Sequence, residues 1–326
     1  MVANSAYSLA VVDLAPFFNK EVDEEDGKNR KLVVVEEISK ACTECGFFQV
    51  VNHGIPLELL KQTLDAYRAF FDLSNEEKHK LVPNPRVPTP ASGYFRSPDL
   101  KKEGNEHFLI RSPQLGLNSY PKCLPRFQGS LEEIYPSFLK LASVMESIIN
   151  DSLGFPPNFL KEYNRERDYD FLLGLHYFPA TGTETVGKSA HEDTSCVSIL
   201  YQDDVGGLQV CHNGRWISVP PIEGALVVNI GEVLRVLSND RFKSATHKVM
   251  RSEGRNRYSL AFFHNLKGDK WVEPLPQFTK EIGELPKYRG FLLKEYMQMR
   301  LKDRRHPPER YEDLTRINYY AINQNS

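Results

Sequence analysis

The sequence lacks an excess of charge of either sign: 41 Lys and Arg residues against 43 Asp and Glu residues give a formal net charge of −2. This balance excludes the broad positive field that attracts nucleic acid. It also lacks any apolar run near the ~20 residues that a membrane-spanning helix needs, and a basic, apolar secretory signal is missing. We therefore expect a cytoplasmic protein with neither a nucleic-acid nor a membrane partner.

Cysteine is scarce and odd in number, with five in 326 residues. This excludes a disulfide framework and indicates a reducing compartment. Cys42 and Cys45 form a C-x-x-C pair that could serve redox chemistry or zinc, but no second pair completes a zinc site. Because both follow Val35 and Ile38 at helical spacing, we expect them to be buried as small apolar side chains.

The sequence does contain a change of period near residue 169. Before it, apolar residues recur at helical spacing, as in residues 31–45 and 131–152. After it, short alternating segments are separated by turn residues, a pattern typical of a closed barrel or sandwich. The fold class expected is α+β dominated by a β core. We expect an N-terminal region of helices and strands over 1–120 and the core, with a C-terminal helix, over 121–326, folded as one cooperative unit.

The segment AHEDTSCVSILYQ, residues 190–202, places a histidine and two acids before a run of β-forming residues. If a strand begins at residue 191, alternate side chains share a face, so His191 and Asp193 point together and Glu192 points away. His247, at the start of another predicted strand, is the expected third ligand. Two imidazoles and one carboxylate leave three metal positions open, an arrangement typical of non-haem Fe(II). The alternative is that both histidines are packed or surface residues.

The tripeptide RYS begins ten residues after His247 and puts Arg257 and Ser259 on one strand face. A guanidinium beside a hydroxyl is suited to binding a carboxylate. A cation directed into a barrel interior would be costly without an anionic partner. Phe263 shares this face, so it is expected either to line a substrate pocket or to fill the barrel core.

The sequence resembles the isopenicillin N synthase-like branch of the Fe(II)/2-oxoglutarate-dependent dioxygenases of plant and microbial specialised metabolism. The matching segments, in family order, are GFFQVVNHGIP (46–56), LSNEEKHKL (73–81), HED (191–193), DDVGGLQV (203–210), GALVVNIGEVL (224–234), LSNDRFKSATHKV (237–249) and RYSLAFF (257–263). The resemblance implies a double-stranded β-helix, or jelly roll, flanked by helices, with a catalytic core at about 169–265.

The same resemblance implies a function, the oxidation of a small specialised metabolite by hydroxylation, desaturation, cyclisation or demethylation. O2 and 2-oxoglutarate would be consumed, succinate and CO2 would be formed, and ascorbate is a candidate reductant. The implied site residues are His191, Asp193 and His247 as catalytic Fe(II) ligands, Arg257 and Ser259 for the distal carboxylate of 2-oxoglutarate, and Asn229 as a support near the iron. We expect a monomer that binds a small-molecule substrate.

One segment departs from the family pattern. Many plant members carry Asn-Tyr-Tyr-Pro, with the second tyrosine on the cosubstrate, whereas this chain reads His176-Tyr177-Phe178-Pro179. The hydroxyl missing at Phe178 corresponds to one hydrogen bond, worth about 1 kcal/mol. His176 shares the strand face of Phe178 and is the candidate replacement donor. The alternative is a packed strand with a surface-capping histidine.

Phe178 also favours an alternative function, an oxoglutarate-independent oxidase of the isopenicillin N synthase or aminocyclopropane-carboxylate oxidase type. In that case Arg257 and Ser259 would serve another anion or a structural pair. An alternative from another class is a binding module that keeps the fold without catalysis. Succinate formation separates the first alternative from the dioxygenase, and iron content separates the second.

The substrate residues suggested by the sequence are mostly aromatic, which suits a planar or hydrophobic molecule. They are Phe178 and Phe263, Tyr94 and Phe108 in the region 93–111, and Tyr320 as part of a C-terminal lid. Arg235 stands where related sequences carry a neutral residue. It would either pair with a substrate acid or, as we expect, lie in solvent or in a structural ion pair.

Overall fold

The computed structural model describes residues 7–19, 24–84, 87, 90–305 and 316–322. The helices are α1 (Ala15–Phe18), α2 (Glu24–Glu44), α3 (Leu57–Phe71), α4 (Asn75–His79), α5 (Pro125–Ser152), α6 (Phe159–Tyr163), α7 (Glu232–Leu237) and α8 (Leu293–Arg305). The strands are β1 (Val11–Asp13), β2 (Phe47–Val51), β3 (Gly93–Arg96), β4 (Asn105–Arg111), β5 (Phe171–Tyr177), β6 (Val186–His191), β7 (Val197–Gln202), β8 (Leu208–His212), β9 (Arg215–Ser218), β10 (Leu226–Ile230), β11 (His247–Met250), β12 (Arg257–His264), β13 (Trp271–Val272) and β14 (Phe291–Leu292).

Two sheets build the core. The larger has the strand order β1-β2-β10-β7-β12-β5-β4-β3, and the smaller has the order β6-β11-β8-β9. Their facing side chains pack together, with Phe47, Tyr177 and Val227 of the larger sheet against Val210 and Val249 of the smaller. This two-sheet sandwich with flanking helices confirms the predicted jelly roll.

The long helices cover the outer face of the larger sheet. Phe138 of α5 stacks on Phe262 of β12 with ring centroids 5.7 Å apart. Tyr67 of α3 lies so close to Gly174 of β5 that a Cβ there would clash with its ring. Cys42 is fully buried and, like the other cysteines, is free, which confirms its predicted role as an apolar side chain. None of the helices in the described ranges has the length and apolar character needed to cross a membrane.

The register of the larger sheet decides which side chains face the smaller sheet. In an antiparallel pair, residues opposite each other point to the same face. One such row runs from Asn229 to Ser198, Phe263, Phe171 and Arg111 on neighbouring strands. These side chains all lie on the inner face of the sheet, where the site is built.

The strand around the first metal ligand differs from the prediction. His191 is the last residue of β6, and β7 begins only at Val197. Asp193 therefore lies in a loop, held by a hydrogen bond of 2.7 Å from the backbone N–H of Glu232 to its backbone carbonyl. Strand alternation was the wrong reason for pairing His191 with Asp193, although the two side chains do converge.

Candidate active site

Three side chains from separate elements converge on one point. His191 ends β6 and lies directly opposite His247, the first residue of the antiparallel neighbour β11. Asp193 Oδ1 lies 3.7 Å from the Nε2 atom of each histidine. All three possible ligand atoms lie within 4.8 Å of one another. The predicted His-Asp-His metal site is therefore present as a geometric unit.

Backbone carbonyls fix the tautomers of both imidazoles. The Nδ1 atom of His191 lies 2.8 Å from the carbonyl of Ser189, and that of His247 lies 3.2 Å from the carbonyl of Ala245. Because a carbonyl only accepts, each Nδ1 carries the proton and donates it. In its neutral form each ring presents the lone pair of Nε2 to the metal position, and the Nδ1 hydrogen bond orients the ring.

The carboxylate of Asp193 is oriented in the same way. Its Oδ2 atom accepts hydrogen bonds from Ser198 Oγ at 2.6 Å and from Asn229 Nδ2 at 3.0 Å. Both donors sit opposite each other on β7 and β10 and are buried. Oδ1 is thereby left for a metal. Asn229 lies where the sequence predicted a support, whereas Ser198 was not predicted.

Glu192 points away from the metal position, as predicted. Thr246, next to His247, donates its hydroxyl to the Glu192 carboxylate, and Arg316 lies 3.9 Å from the other oxygen. Arg300 of α8 donates to the Glu192 backbone carbonyl at 2.9 Å. Glu192 thus ties the ligand loop to β11 and to the C-terminal part of the chain.

The donor set fits Fe(II). Two neutral imidazoles and one carboxylate, arranged so that one side stays open, are the ligands that non-haem Fe(II) uses in oxygenases. Every ligand has a hydrogen-bonded partner behind it, as metal-binding side chains usually do. His191, Asp193 and His247 are the residues that would hold the ion.

Arg257 is a buried cation on the inner face of the larger sheet. Its side chain is only 1% exposed. It donates to Ser259 Oγ at 3.3 Å and to Gln202 Oε1 at 3.0 Å, lies over the ring of Tyr177, and leaves a buried Nε without a partner. Among the described residues no carboxylate forms an ion pair with it. Since an unpaired buried charge is costly, this site fits the distal carboxylate of 2-oxoglutarate.

The tyrosine on the same face as Arg257 is Tyr177. It lies directly opposite Arg257, whereas His176 lies opposite Tyr258 on the outer face. Both nitrogens of His176 are engaged there, by Glu106 and Asn256 at 2.9 Å each. The predicted role of His176 as a cosubstrate donor is therefore corrected, since its ring points to the opposite side of the sheet.

Because Tyr177 supplies a hydroxyl on the face of Arg257, the hydroxyl missing at Phe178 no longer favours an oxoglutarate-independent oxidase. Burial raises the pKa of Tyr177, so its hydroxyl stays protonated and can donate. Phe178 instead packs edge-on against His176 and lies under the guanidinium of Arg96, 5.3 Å from its ring centroid. Its predicted place among the substrate residues is corrected with that of His176.

Tyr94 and Phe108 are not at a cavity mouth. Both are fully buried on the outer face, where Tyr94 donates to Glu106 Oε2 at 2.5 Å and Phe108 packs on Phe70. Their assignment to the substrate is corrected, because the neighbouring residues Phe95 and Leu109 occupy the inner face instead.

The inner face carries an apolar wall beside the metal position. Phe263 was predicted to share the face of Arg257 and does so, stacking on Phe171 with centroids 4.7 Å apart. The wall consists of the buried Leu109, Leu173 and Ala261 and the half-buried Phe95, Phe171, Leu175, Leu200 and Phe263. These partly exposed side chains are positioned to contact an apolar molecule.

Two remaining predictions concern residues outside this wall. Tyr320 stacks on Phe291, 4.4 Å between centroids, and meets the edge of Tyr296. It packs beside α8, and its role as part of a lid stays a prediction. Arg235 Nε lies 2.7 Å from Asp240 Oδ1, which confirms the expected structural ion pair.

Comparison with known proteins agrees with this site. The 2OG-Fe(II) oxygenase superfamily matches residues 169–266, and the family described as non-haem dioxygenase in morphine synthesis N-terminal matches residues 9–122. A 1-aminocyclopropane-1-carboxylate oxidase of Musa acuminata is 33% identical over 90% of this chain and 96% of its own length. The chain belongs to the 2OG-Fe(II) oxygenase superfamily. A flavonol synthase/flavanone 3-hydroxylase of Arabidopsis thaliana is 31% identical over 90% of the oxygenase and 86% of its own length.

Solved structures agree with this membership. JOX2 in complex with 2OG, Fe and JA has a TM-score of 0.77 at 27% identity, covering 89% of the oxygenase and 84% of JOX2. A full-length Neurospora crassa protein solved in complex with alpha-KG shares the fold at 24% identity, with a TM-score of 0.79 over 92% of the oxygenase and 97% of the fungal chain. This oxygenase is a 2-oxoglutarate- and Fe(II)-dependent dioxygenase that acts on small molecules.

Proposed function

We propose that the oxygenase oxidises a C–H bond of a largely apolar small metabolite, with hydroxylation as the main outcome. Desaturation, ring closure and demethylation are other outcomes of the same oxidation. His191, Asp193 and His247 act as the iron ligands, and Arg257 and Ser259 bind the distal carboxylate of 2-oxoglutarate. The observation that carries this proposal is the buried Arg257, which forms no ion pair with the described residues and lies on the same inner face as the side chains that orient Asp193.

Bound Fe(II) and 2-oxoglutarate supply an oxidant made from O2, as 2-oxoglutarate becomes succinate and CO2. The protein contributes position and protonation. The Nδ1–H bonds to carbonyls keep each Nε2 free for the metal, and Ser198 and Asn229 hold Asp193 in one orientation. Arg257 fixes the far end of the cosubstrate by charge-assisted hydrogen bonds. The apolar wall contacts the substrate and excludes water from the reacting atoms.

We further propose that the enzyme works as a monomer in the cytoplasm, where its free cysteines stay reduced. We also propose that residues 1–120 and 121–326 unfold as one cooperative unit. The support is that β1 to β4 belong to the same sheet as β5, β7, β10 and β12. Sedimentation would test the first proposal, and coincident unfolding transitions by two spectroscopic probes would test the second.

The function is tested by anaerobic titration of the Fe(II)-loaded protein with 2-oxoglutarate, followed by visible absorption. A weak charge-transfer band that saturates is the expected result. Arg257→Met should remove saturation at concentrations that saturate the wild type, since a charge-assisted anchor is lost. Arg235→Met is the matched control, because that guanidinium is already paired with Asp240 and should leave the titration unchanged.

The same experiment separates the alternatives. No band, with iron bound, would support an oxoglutarate-independent oxidase, the type to which the Musa acuminata relative belongs by name. Failure to retain iron at all would support a catalytically silent binding module. Succinate release in a screen of small aromatic molecules would then identify substrates of the dioxygenase.

A further inference from the structure

The inner-face row at the level of the metal ends in an arginine. Asn229 and Ser198 bind Asp193 at one side of the row, Phe263 and Phe171 follow, and Arg111 of β4 lies opposite Phe171. Three strand spacings of ~4.8 Å separate Ser198 from Arg111, about 14 Å across the sheet. A metal centre and a guanidinium therefore flank one apolar surface.

Arg111 has no anionic partner within the described ranges. Its Nη2 donates to the backbone carbonyl of Asp168, and its Nε is buried without a hydrogen-bond partner. The carboxylate of Asp168 accepts instead from the backbone N–H of Gly268 at 3.3 Å. Arg111 as a residue is half-buried, and a carboxylate is the acceptor that fits a guanidinium fork best.

The surface between the two ends is apolar and partly accessible. Phe171 and Phe263 stack with an interplanar angle of 19°, and Leu109 and Leu173 complete the wall next to them. An apolar molecule on this wall would be held by burial alone, which gives little control of its orientation. An anion at Arg111 would fix one end and so determine which carbon faces the metal.

We propose that Arg111 binds a carboxylate of the substrate, so that the substrate class is a small organic acid with an apolar, ring-containing body. This inference rests on the proposed function for its catalytic consequence, but the binding site itself requires neither iron nor 2-oxoglutarate. Arg111 is thus a specificity-determining residue at the end of the wall opposite the metal centre. It is distinct from Arg257, which lies on β12 opposite Tyr177.

The test is equilibrium binding of a matched pair of probes to the full-length apoprotein, measured by fluorine NMR. The probes are a fluorophenyl-hexanoate and its neutral amide, which share the apolar body. The acid should bind about ten-fold more tightly than the amide, as expected for charge-assisted hydrogen bonds. Arg111→Met should lower the affinity for the acid to that for the amide and leave the amide unchanged. Arg111→Lys should restore part of the preference, because it keeps the charge without the fork.

Arg96→Met is the control variant, since Arg96 lies on the neighbouring strand β3 with its guanidinium over Phe178. It should keep the preference for the acid. Equal affinities for acid and amide in the wild type would overturn the proposal, as would no binding of either probe at millimolar concentration. An Arg111→Met variant that lowers the affinity for both probes equally would also overturn the proposal. Arg111 would then have only a structural role, through its hydrogen bond to the Asp168 carbonyl.

The Fe(II) and 2-oxoglutarate titration distinguishes this proposal from the proposed function. A wild type that prefers the acid but gives no charge-transfer band has the anion site without the cosubstrate chemistry. A wild type that gives the band but binds acid and amide equally has the cosubstrate chemistry without the anion site.

Discussion

Ser198 is predicted to control iron affinity although it does not touch the iron. Its hydroxyl donates to Asp193 Oδ2 at 2.6 Å, and the bond is buried. Ser198→Ala removes this bond and leaves Asn229 as the remaining donor to that oxygen, at 3.0 Å. The carboxylate would then be held by one bond rather than two, so it would rotate away from the orientation that a metal requires.

The size of the effect follows from the charge on Asp193. A buried hydrogen bond to an ionised group contributes about 1.5–3 kcal/mol. With roughly 1.4 kcal/mol for each factor of ten, the loss corresponds to a Kd for Fe(II) that rises by about 10- to 100-fold. Outer partners of metal ligands typically have effects of about this size.

The assay is anaerobic titration of apoprotein with Fe(II) against a competing chelator, with circular dichroism to verify the fold. Ser195→Ala is the matched control. The Ser195 hydroxyl lies 2.9 Å from Ser198 Oγ, so it can support Ser198 but bonds no oxygen of Asp193. It should change the Kd by less than about three-fold, as expected of a neutral hydrogen bond one step removed. Unchanged iron affinity in Ser198→Ala, or equal losses in both variants, would refute the reasoning.

Two further predictions concern the cosubstrate and pH. Tyr177→Phe should weaken the binding of 2-oxoglutarate about ten-fold or more through loss of one hydrogen bond to a carboxylate, about 1.5–3 kcal/mol, whereas Phe178→Leu should not; equal effects in the absorption titration would contradict this. Burial lowers the pKa of His264, but contacts with Asp170 and Glu146 outweigh it and raise the pKa to about 9. This group contributes roughly 3 kcal/mol at most to the free energy of unfolding. Because the pKa in the unfolded chain is about 6.5, the contribution is complete below pH 6.5 and is lost as pH rises through 9. Urea unfolding of His264→Gln should therefore show a larger loss of stability at pH 6 than at pH 10, and equal losses would contradict the assignment.

The metal site, and the arginine–serine pair proposed to bind a carboxylate, could be predicted from the sequence because their chemistry is local and distinctive. The chemistry of the side chains identifies each of these groups even where the secondary structure is predicted wrongly. The groups are the two ligand residues of H-x-D, a distal histidine, and Arg257 with Ser259. The strand predicted to begin at residue 191 is in fact a strand end followed by a loop. The ligands still converge, because His191 pairs across the sheet with His247.

Side chains without such chemistry were assigned to the wrong face of their strands, because successive residues of a strand alternate between the two faces. A shift of one residue moves a strand's side chains to the other face of a sheet. On β3, β4 and β5 the sequence selected Tyr94, Phe108 and His176, and in each case the inner face belongs to a neighbour along the chain. The face of Phe263 was predicted correctly, because Phe263 and Arg257 lie an even number of residues apart on the same strand.

One feature of the sequence does indicate which residues of β5 lie on each face of the sheet. A glycine inside a strand often marks a close approach of another element, and Gly174 is packed against the ring of Tyr67 of α3. Residue 174 therefore lies on the helix-covered face, and 176 lies there with it. Tyr177 must then lie on the inner face, opposite Arg257. With the faces of β5 assigned in this way, the chain keeps a tyrosine hydroxyl on the face of Arg257. The hydroxyl missing at Phe178 therefore gives no reason to expect chemistry without 2-oxoglutarate.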